Sequence, residues 1–263
     1  MVMRFALFLL VVFLSGCESV SDRKLSPETT GLIVVDANIT SENKNHAIRL
    51  SFPYDRQNGA GSPVSGAFVT LAVDDDLFPL TESPAGSGIY YTPVLRAITG
   101  KNYLLNIVYL GRTFSAQDNP PAVEPMDPIR YSEADSLYQL SMSGSGNAPN
   151  FIRHQIVWEN TPYCTMNCAG EIYFYDLKSA DVNEIFKPGK VDFYFPPGST
   201  IIRTKYSVSP AYRSFLRSML SETEWRGGVF DVQRAPVETN LSGGAIGFFA
   251  VSTVVSDTTV VVP

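Results

Sequence analysis

The chain is expected to be mainly β, with an N-terminal immunoglobulin-like β-sandwich over residues 31–117. A second β-rich domain over 129–263, carrying one packed amphipathic helix, is expected to follow. Three observations carry this expectation. Short runs rich in Val, Ile, Thr, Tyr and Phe recur between clusters of Gly, Pro, Asn and Asp, the spacing of sandwich strands and turns. Only 17% of residues are charged, while Gly, Pro and aromatics are plentiful, which suits an extracytoplasmic β protein better than a helical cytosolic enzyme. A single stretch stands out for its helical period.

The first element is a leader. Arg4 supplies a basic start, and Phe5 to Leu14 contain no polar residue. An apolar run of about ten residues is half of the roughly 20 that a membrane-spanning helix needs. It has the size of a signal-peptide core, so residues 1–16 are expected to be removed. Leu14-Ser15-Gly16-Cys17 resembles the bacterial lipobox, in which the cysteine is acylated and becomes the first mature residue. Residues 17–30 are polar and read as a flexible tether. At about 3.3 Å per residue it reaches roughly 40 Å from the lipid surface. Two or more acyl chains anchor stably without any transmembrane segment.

Charge excludes one class of partner. The net charge is −6, and −7 once Arg4 leaves with the leader. Without a basic block, nucleic acid is not expected as a partner.

Gly31–Ile39 reads as a buried strand. Ala47–Phe52 alternates, with Ile48, Leu50 and Phe52 on one face. Ala67, Val69, Leu71 and Val73 share a face of the next strand, and Asp74-Asp75-Asp76 marks a solvated turn rather than a calcium loop, whose ligands alternate around a glycine. Phe78–Thr81, Gly88–Val94 and Tyr103–Leu110 are further strands, and Gly111-Arg112 is expected to close a hairpin into Thr113–Ala116. Residues 118–128 hold four prolines. Proline removes ladder donors, so this is a stiff linker and the expected domain boundary.

In the second half, Ile129–Met142 suggests a strand, Phe151–Trp158 and Glu171–Tyr175 flank a cysteine loop, and Asp192–Phe195 and Thr200–Val208 add weaker strands. Cys164 and Cys168 sit four apart. In an oxidising compartment they read as a local disulfide, with free thiols or half a zinc site as rivals; zinc needs more ligands than two histidines and one cysteine pair readily supply. The helix spans 209–222. Ser209 can cap it, Pro210 suits its first position, and Tyr212, Phe215, Leu216, Met219 and Leu220 form one apolar face. Gly244–Val255 and Thr258–Val262 close the second domain.

No nucleophile elbow, phosphate loop or dinucleotide motif occurs. Gly243-Gly244-Ala-Ile-Gly247 leads into a strand, so its glycines serve a turn and close packing. His154 lies within a strand. No cofactor is implied. Tyr173-Phe174-Tyr175 and Phe193-Tyr194-Phe195 place aromatics on both strand faces. Tyr173, Tyr175, Phe193 and Phe195 are therefore the candidate contacts for a glycan or a protein partner.

The lipobox, Pro63-Val-Ser-Gly-Ala-Phe-Val-Thr-Leu71, Gly88-Ile-Tyr90 and Tyr103-Leu-Leu-Asn-Ile-Val108 occur in that order. Tyr212-Arg-Ser-Phe-Leu216, Gly228-Val-Phe-Asp231, Pro236, Asn240 and Gly244-Ala-Ile-Gly-Phe-Phe-Ala-Val-Ser252 follow. Together they resemble the Domain of Unknown Function 4249 family of outer-membrane lipoproteins from Bacteroidota. The stretch near 228–240 departs from the family pattern, with its proline-rich run reduced to Pro236. Pro63–Leu71 also resembles carboxypeptidase-regulatory-like and other immunoglobulin-like modules. The resemblance implies no catalytic residues. It implies a lipid-anchored, non-enzymatic accessory protein of the outer membrane, on its periplasmic or cell-surface face, beside a TonB-dependent receptor. A glycan- or surface-polymer-binding lipoprotein is the second expectation and a hydrolase the third.

Overall fold

The computed structural model describes residues 32–54, 61–144, 146–179, 182–185, 192–226 and 236–262. The leader, Cys17 and the tether 17–30 lie outside the described residues, as does Gly228–Asp231. The chain is mainly β, as its alternating runs require.

The first half builds two sheets around one core. Strands β1 (Val34–Thr40), β2 (Ala47–Ser51), β5 (Thr81–Glu82) and β6 (Ile89–Tyr91) belong to one sheet. Strands β3 (Phe68–Val73), β4 (Asp76–Pro79), β7 (Tyr103–Tyr109) and β8 (Arg112–Asp118) form the other, in the order β4-β3-β7-β8. Val35, Ile39, Ile48 and Leu50 meet Val69, Leu71, Leu105 and Ile107 in a single buried cluster. Each such side chain contributes roughly 1.5–3 kcal/mol when fully buried. The β7–β8 turn is Leu110-Gly111, one residue earlier than the spacing suggested, because both residues take positive φ (48° and 75°). That is the twist a two-residue hairpin needs.

The second half holds a four-stranded sheet. It comprises β11 (Asn150–Val157), β12 (Ala169–Asp176), β14 (Thr200–Ser207) and β16 (Val254–Val260), ordered β12-β11-β14-β16. A smaller sheet of β9 (Tyr131–Ala134), β10 (Leu137–Leu140) and β13 (Tyr194–Phe195) covers one end of it. Residues 129–142, expected as one strand, are instead the β9–β10 hairpin, because Asp135 and Ser136 both adopt positive φ. Helix α1 is a single turn, Val182–Ile185. Helix α2 runs Pro210–Glu222, with the Ser209 hydroxyl accepting from the Tyr212 N–H at 3.2 Å. Its face buries Leu216 and Leu220 against Phe151, Val208 and Trp225.

The domain division at 118–128 needs correction. Strand β15 (Ile246–Ser252), expected to close the second domain, pairs in parallel with β1 over seven residues, giving the first sheet the order β15-β1-β2-β6-β5. The cause is that β15 is apolar on both faces. Phe249 and Val251 complete the first core, while Phe248 and Ala250 face the other way and are also buried. Gly247 permits the pairing: its φ is +96°, and a Cβ there would lie 2.1 Å from the Val35 carbonyl oxygen.

Thr253 alone separates β15 from β16, so one run of chain passes directly from the first sheet into the third. The crossing is pinned from three sides. Thr253 N–H donates to the Ser207 hydroxyl at 2.9 Å, its own hydroxyl donates to the Pro121 carbonyl at 2.7 Å, and Val254 N–H donates to the Ser41 hydroxyl at 2.8 Å.

Candidate functional site

The register of the third sheet gathers its aromatics. Phe151 lies opposite both Tyr175 and Tyr206, and Arg153 lies opposite Tyr173, so all five side chains emerge on one face. Phe151 stacks on Tyr206 with centroids 4.5 Å apart and planes 4° from parallel. Tyr173 and Tyr175 lie two residues apart on β12 and stack at 6.3 Å and 17°. From α2, Tyr212 meets Phe151 edge-on at 6.1 Å and stacks on Phe248 of β15 at 5.0 Å. A continuous aromatic chain therefore joins the third sheet, through the helix, to the first.

Between these elements lies an open cleft of about 350 Å³. Its far wall is the outward face of β1, where Asp36 and Asn38 project two residues apart. Tyr173 stands at the lip, 37% exposed. Burial pushes the Tyr175 hydroxyl up to about 12 and the Tyr212 hydroxyl higher still, so both stay protonated at neutral pH. The Arg153 guanidinium pairs with Glu171 and reaches the Gln155 amide oxygen. The Asn38 side-chain oxygen is enclosed and has no hydrogen-bond partner.

Of the four aromatics expected to make contacts, the structure brings Tyr173 and Tyr175 to this cleft. It sends the other two elsewhere. Phe195 is 0% exposed, in the core with Tyr138, Ile156 and Ile201, and offers no surface. Phe193 packs between Trp158 and Phe195, over Gly170, where a Cβ would strike its ring. Alternation in the two-residue β13 leaves Tyr194 as its outward side chain. Asp36, Asn38, Arg153 and Tyr206 were not singled out by sequence reasoning. A signal existed for the first pair: two polar residues at alternate positions within the apolar run 33–39 mark a face that is not core.

The opposite face of the third sheet is polar but closed. His154, Arg203 and Lys205 are buried there, beneath the proline-rich segment. Arg203 donates to both Asp257 carboxylate oxygens and to the Asp127 carbonyl, and Lys205 donates to the Pro125 carbonyl at 3.4 Å. Burial, with Arg203 nearby, pushes the His154 imidazole down to about 4. It is neutral at physiological pH and Nδ1 has no partner, so no carboxylate orients it as a triad base would require. Arg203, His154 and Arg130 border a hollow of about 250 Å³.

Cys164 and Cys168 form a disulfide with Cα atoms 5.4 Å apart, in the loop between β11 and β12, where Trp158 N–H donates to the Cys168 carbonyl at 2.8 Å. Among the described residues, no three His, Cys, Asp or Glu side chains converge as a metal site would need, and no helix is long and apolar enough to cross a membrane.

The model of a family described as a domain of unknown function (DUF4249) matches residues 21–258. The chain belongs to the DUF4249 family. The match covers every strand from β1 to β15, including the segment that reaches back into the first sheet. A comparison with curated proteins finds no match. In this DUF4249 chain the glycines of the 243–247 segment serve a turn and close packing. Gly243 and Gly244 take positive φ, and a Cβ on Gly243 would lie 2.5 Å from the Thr113 carbonyl oxygen. Asn240 completes the edge of β15 with its side-chain amide, which accepts from Phe249 N–H at 3.1 Å and donates to the Phe249 and Gln117 carbonyls at 2.8 and 3.1 Å.

Proposed function

We propose that the protein is a lipoprotein held on the outer membrane through Cys17. Its role is that of a non-enzymatic accessory subunit beside an integral membrane protein, for which a TonB-dependent receptor is the first candidate. The observation that carries this reading is the outer face of sheet β4-β3-β7-β8. Phe68 is 63% and Leu77 64% exposed there, alongside partly open Leu104 and Val108. The register places Phe68 opposite Val108, and Ala72 opposite both Leu77 and Leu104, as two apolar groups on one face with Thr70 and Asn106 between them. Large apolar side chains left exposed together on one sheet face, rimmed by polar residues, are candidates for a contact site. It lies on the first sandwich, which we read as an immunoglobulin-like module and which follows the tether directly.

The anchor makes a modest surface sufficient. Confinement to one membrane raises the effective concentration of any neighbour anchored in it, so a weak interface is well occupied. The test is affinity purification of a tagged copy in mild detergent, with Cys17→Ser and the double variant Phe68→Ser, Leu104→Ser as controls. The expected result is co-purification of an integral outer-membrane protein by the unaltered chain and its loss from both controls. Recovery of the protein alone from crosslinked native membranes would overturn the reading.

A second reading, a glycan-binding lipoprotein, is favoured by a different observation: the aromatic cleft on the opposite side of β1 from the first core.

A further inference from the structure

We propose that the cleft between β1, α2 and the third sheet binds a pyranose ring of a glycan, stacked on Tyr173 and hydrogen-bonded by Asp36, Asn38 and Arg153. This goes beyond the sheet-face contact and does not depend on it. At about 350 Å³ the cleft falls at the small end of the range for small-molecule sites, about 300–1,000 Å³.

Its walls have two chemistries. On the sheet side, Tyr173 presents a half-open ring backed by Tyr175 in near-parallel stacking. A pyranose has an apolar face of ring C–H bonds, and an aromatic plane is the surface that matches it. On the β1 side Asp36 offers a carboxylate acceptor and Asn38 an amide N–H donor. The Asp36 carboxylate, on the exposed side of its strand, makes no hydrogen bond or ion pair with any described residue. Sugar hydroxyls donate and accept at once, so they can donate to Asp36 while accepting from the Asn38 amide N–H and the Arg153 guanidinium. That group has five N–H donors, and Glu171, Gln155 and Tyr206 do not use all of them.

Two alternatives fit less well. A quaternary ammonium would suit the tyrosines and Asp36, but Arg153 lines the same cleft and repels it. Glycoside hydrolysis needs two carboxyl groups across the bond, and Asp36 is the one carboxylate among the described lining residues. The chemistry is that of holding a sugar rather than cutting it. Because the walls come from β1 and from the third sheet with α2, a bound sugar would bridge the two halves of the molecule.

The test uses the full mature chain carrying Cys17→Ser, titrated calorimetrically with the hexasaccharides of glucose, mannose, xylose and galactose, and separately with tetramethylammonium. The expected result is saturable binding of at least one hexasaccharide, weakened at least tenfold by Tyr173→Ala and again by Asp36→Asn, with unchanged thermal midpoints. Asp36 is an exposed strand residue, so its variant keeps the test valid if Tyr173→Ala folds poorly. Heat from none of the four sugars, sugar binding that both variants leave intact, or saturation by tetramethylammonium alone would each overturn the proposal.

Discussion

The two four-stranded sheets of this protein, β4-β3-β7-β8 and β12-β11-β14-β16, solve opposite problems. The first buries an apolar inner face and leaves its outer face to solvent. Val69, Leu71, Leu105, Ile107 and Phe114 all point into one core. The second buries a face that carries His154, Arg203 and Lys205, and places Phe151, Tyr173, Tyr175 and Tyr206 on the other side. Its apolar material is split into two clusters, one under the small sheet and one under α2. The difference shows where each draws its stability. Apolar burial is non-directional and tolerant of detail. A buried cation holds only while its partners are in place.

The largest expected effect concerns the seam between the halves. A fragment of residues 31–128 lacks β15, and with it Phe249, Val251 and the seven-residue ladder on β1. The fragment alone should show no cooperative thermal unfolding by circular dichroism. Adding a peptide of residues 238–253 should restore a transition. A cooperative transition without the peptide would mean that the first sandwich is self-sufficient.

Next comes the apolar side of the comparison. Phe249→Ala removes a fully buried ring from the first core and should cost about 3–5 kcal/mol by denaturant unfolding. Phe68→Ala, on the open outer face, should fall within about 0.5 kcal/mol of the parent.

The polar side is smaller and asymmetric. Asp257→Ala strips Arg203 of its carboxylate while the guanidinium stays buried. Because Asp257 is itself part-exposed, the expected loss is about 1–3 kcal/mol. Arg203→Met, which removes the buried charge as well, should cost less than Asp257→Ala. The reverse order in denaturant midpoints would refute the view that this face depends on pairing.

The smallest effect is a pH dependence at the seam. Asp118, buried at the end of β8, accepts from Val251 N–H at 2.8 Å and from the Ser209 side chain. Burial nevertheless raises its carboxyl above the ordinary carboxylate value, outweighing those hydrogen bonds. A raised folded pKa means that protonated Asp118 contributes stability, fully present below the unfolded value near 3.8 and lost as pH rises through the folded value. Asp118→Asn should therefore gain on the parent as pH rises through that window, and the difference should be flat above it. A constant difference across the acid range would show that Asp118 titrates alike in both states.

Much of this architecture was legible in the residues. Period-two alternation placed Ile48, Leu50, Val69, Leu71 and Val73 on inner faces, because a half-buried strand must segregate its side chains. The α2 signal was complete, with cap, first-turn proline and apolar stripe in one short window. Cys164 and Cys168 were four residues apart, so their pairing was a local matter. The two-faced burial of β15 was harder: Gly247-Phe-Phe-Ala-Val-Ser252 looks apolar throughout, and an all-apolar run does not say which two layers it separates.

What the sequence determined by itself is therefore local: strand faces, the β7–β8 hairpin within a residue, and the helix. What only the tertiary structure decided is pairing over long separations. Val34 meets Ile246, Phe151 meets Tyr206, and Tyr212 of the helix meets Phe248. The aromatic cleft exists only through those meetings, and Phe195, equal to Tyr173 as a sequence signal, is excluded from it by them. The physical reason is that alternation along a strand names two faces without naming what covers them. Cover is supplied by whichever distant segment can bury its own apolar surface there, and here that segment was β15 with α2 behind it.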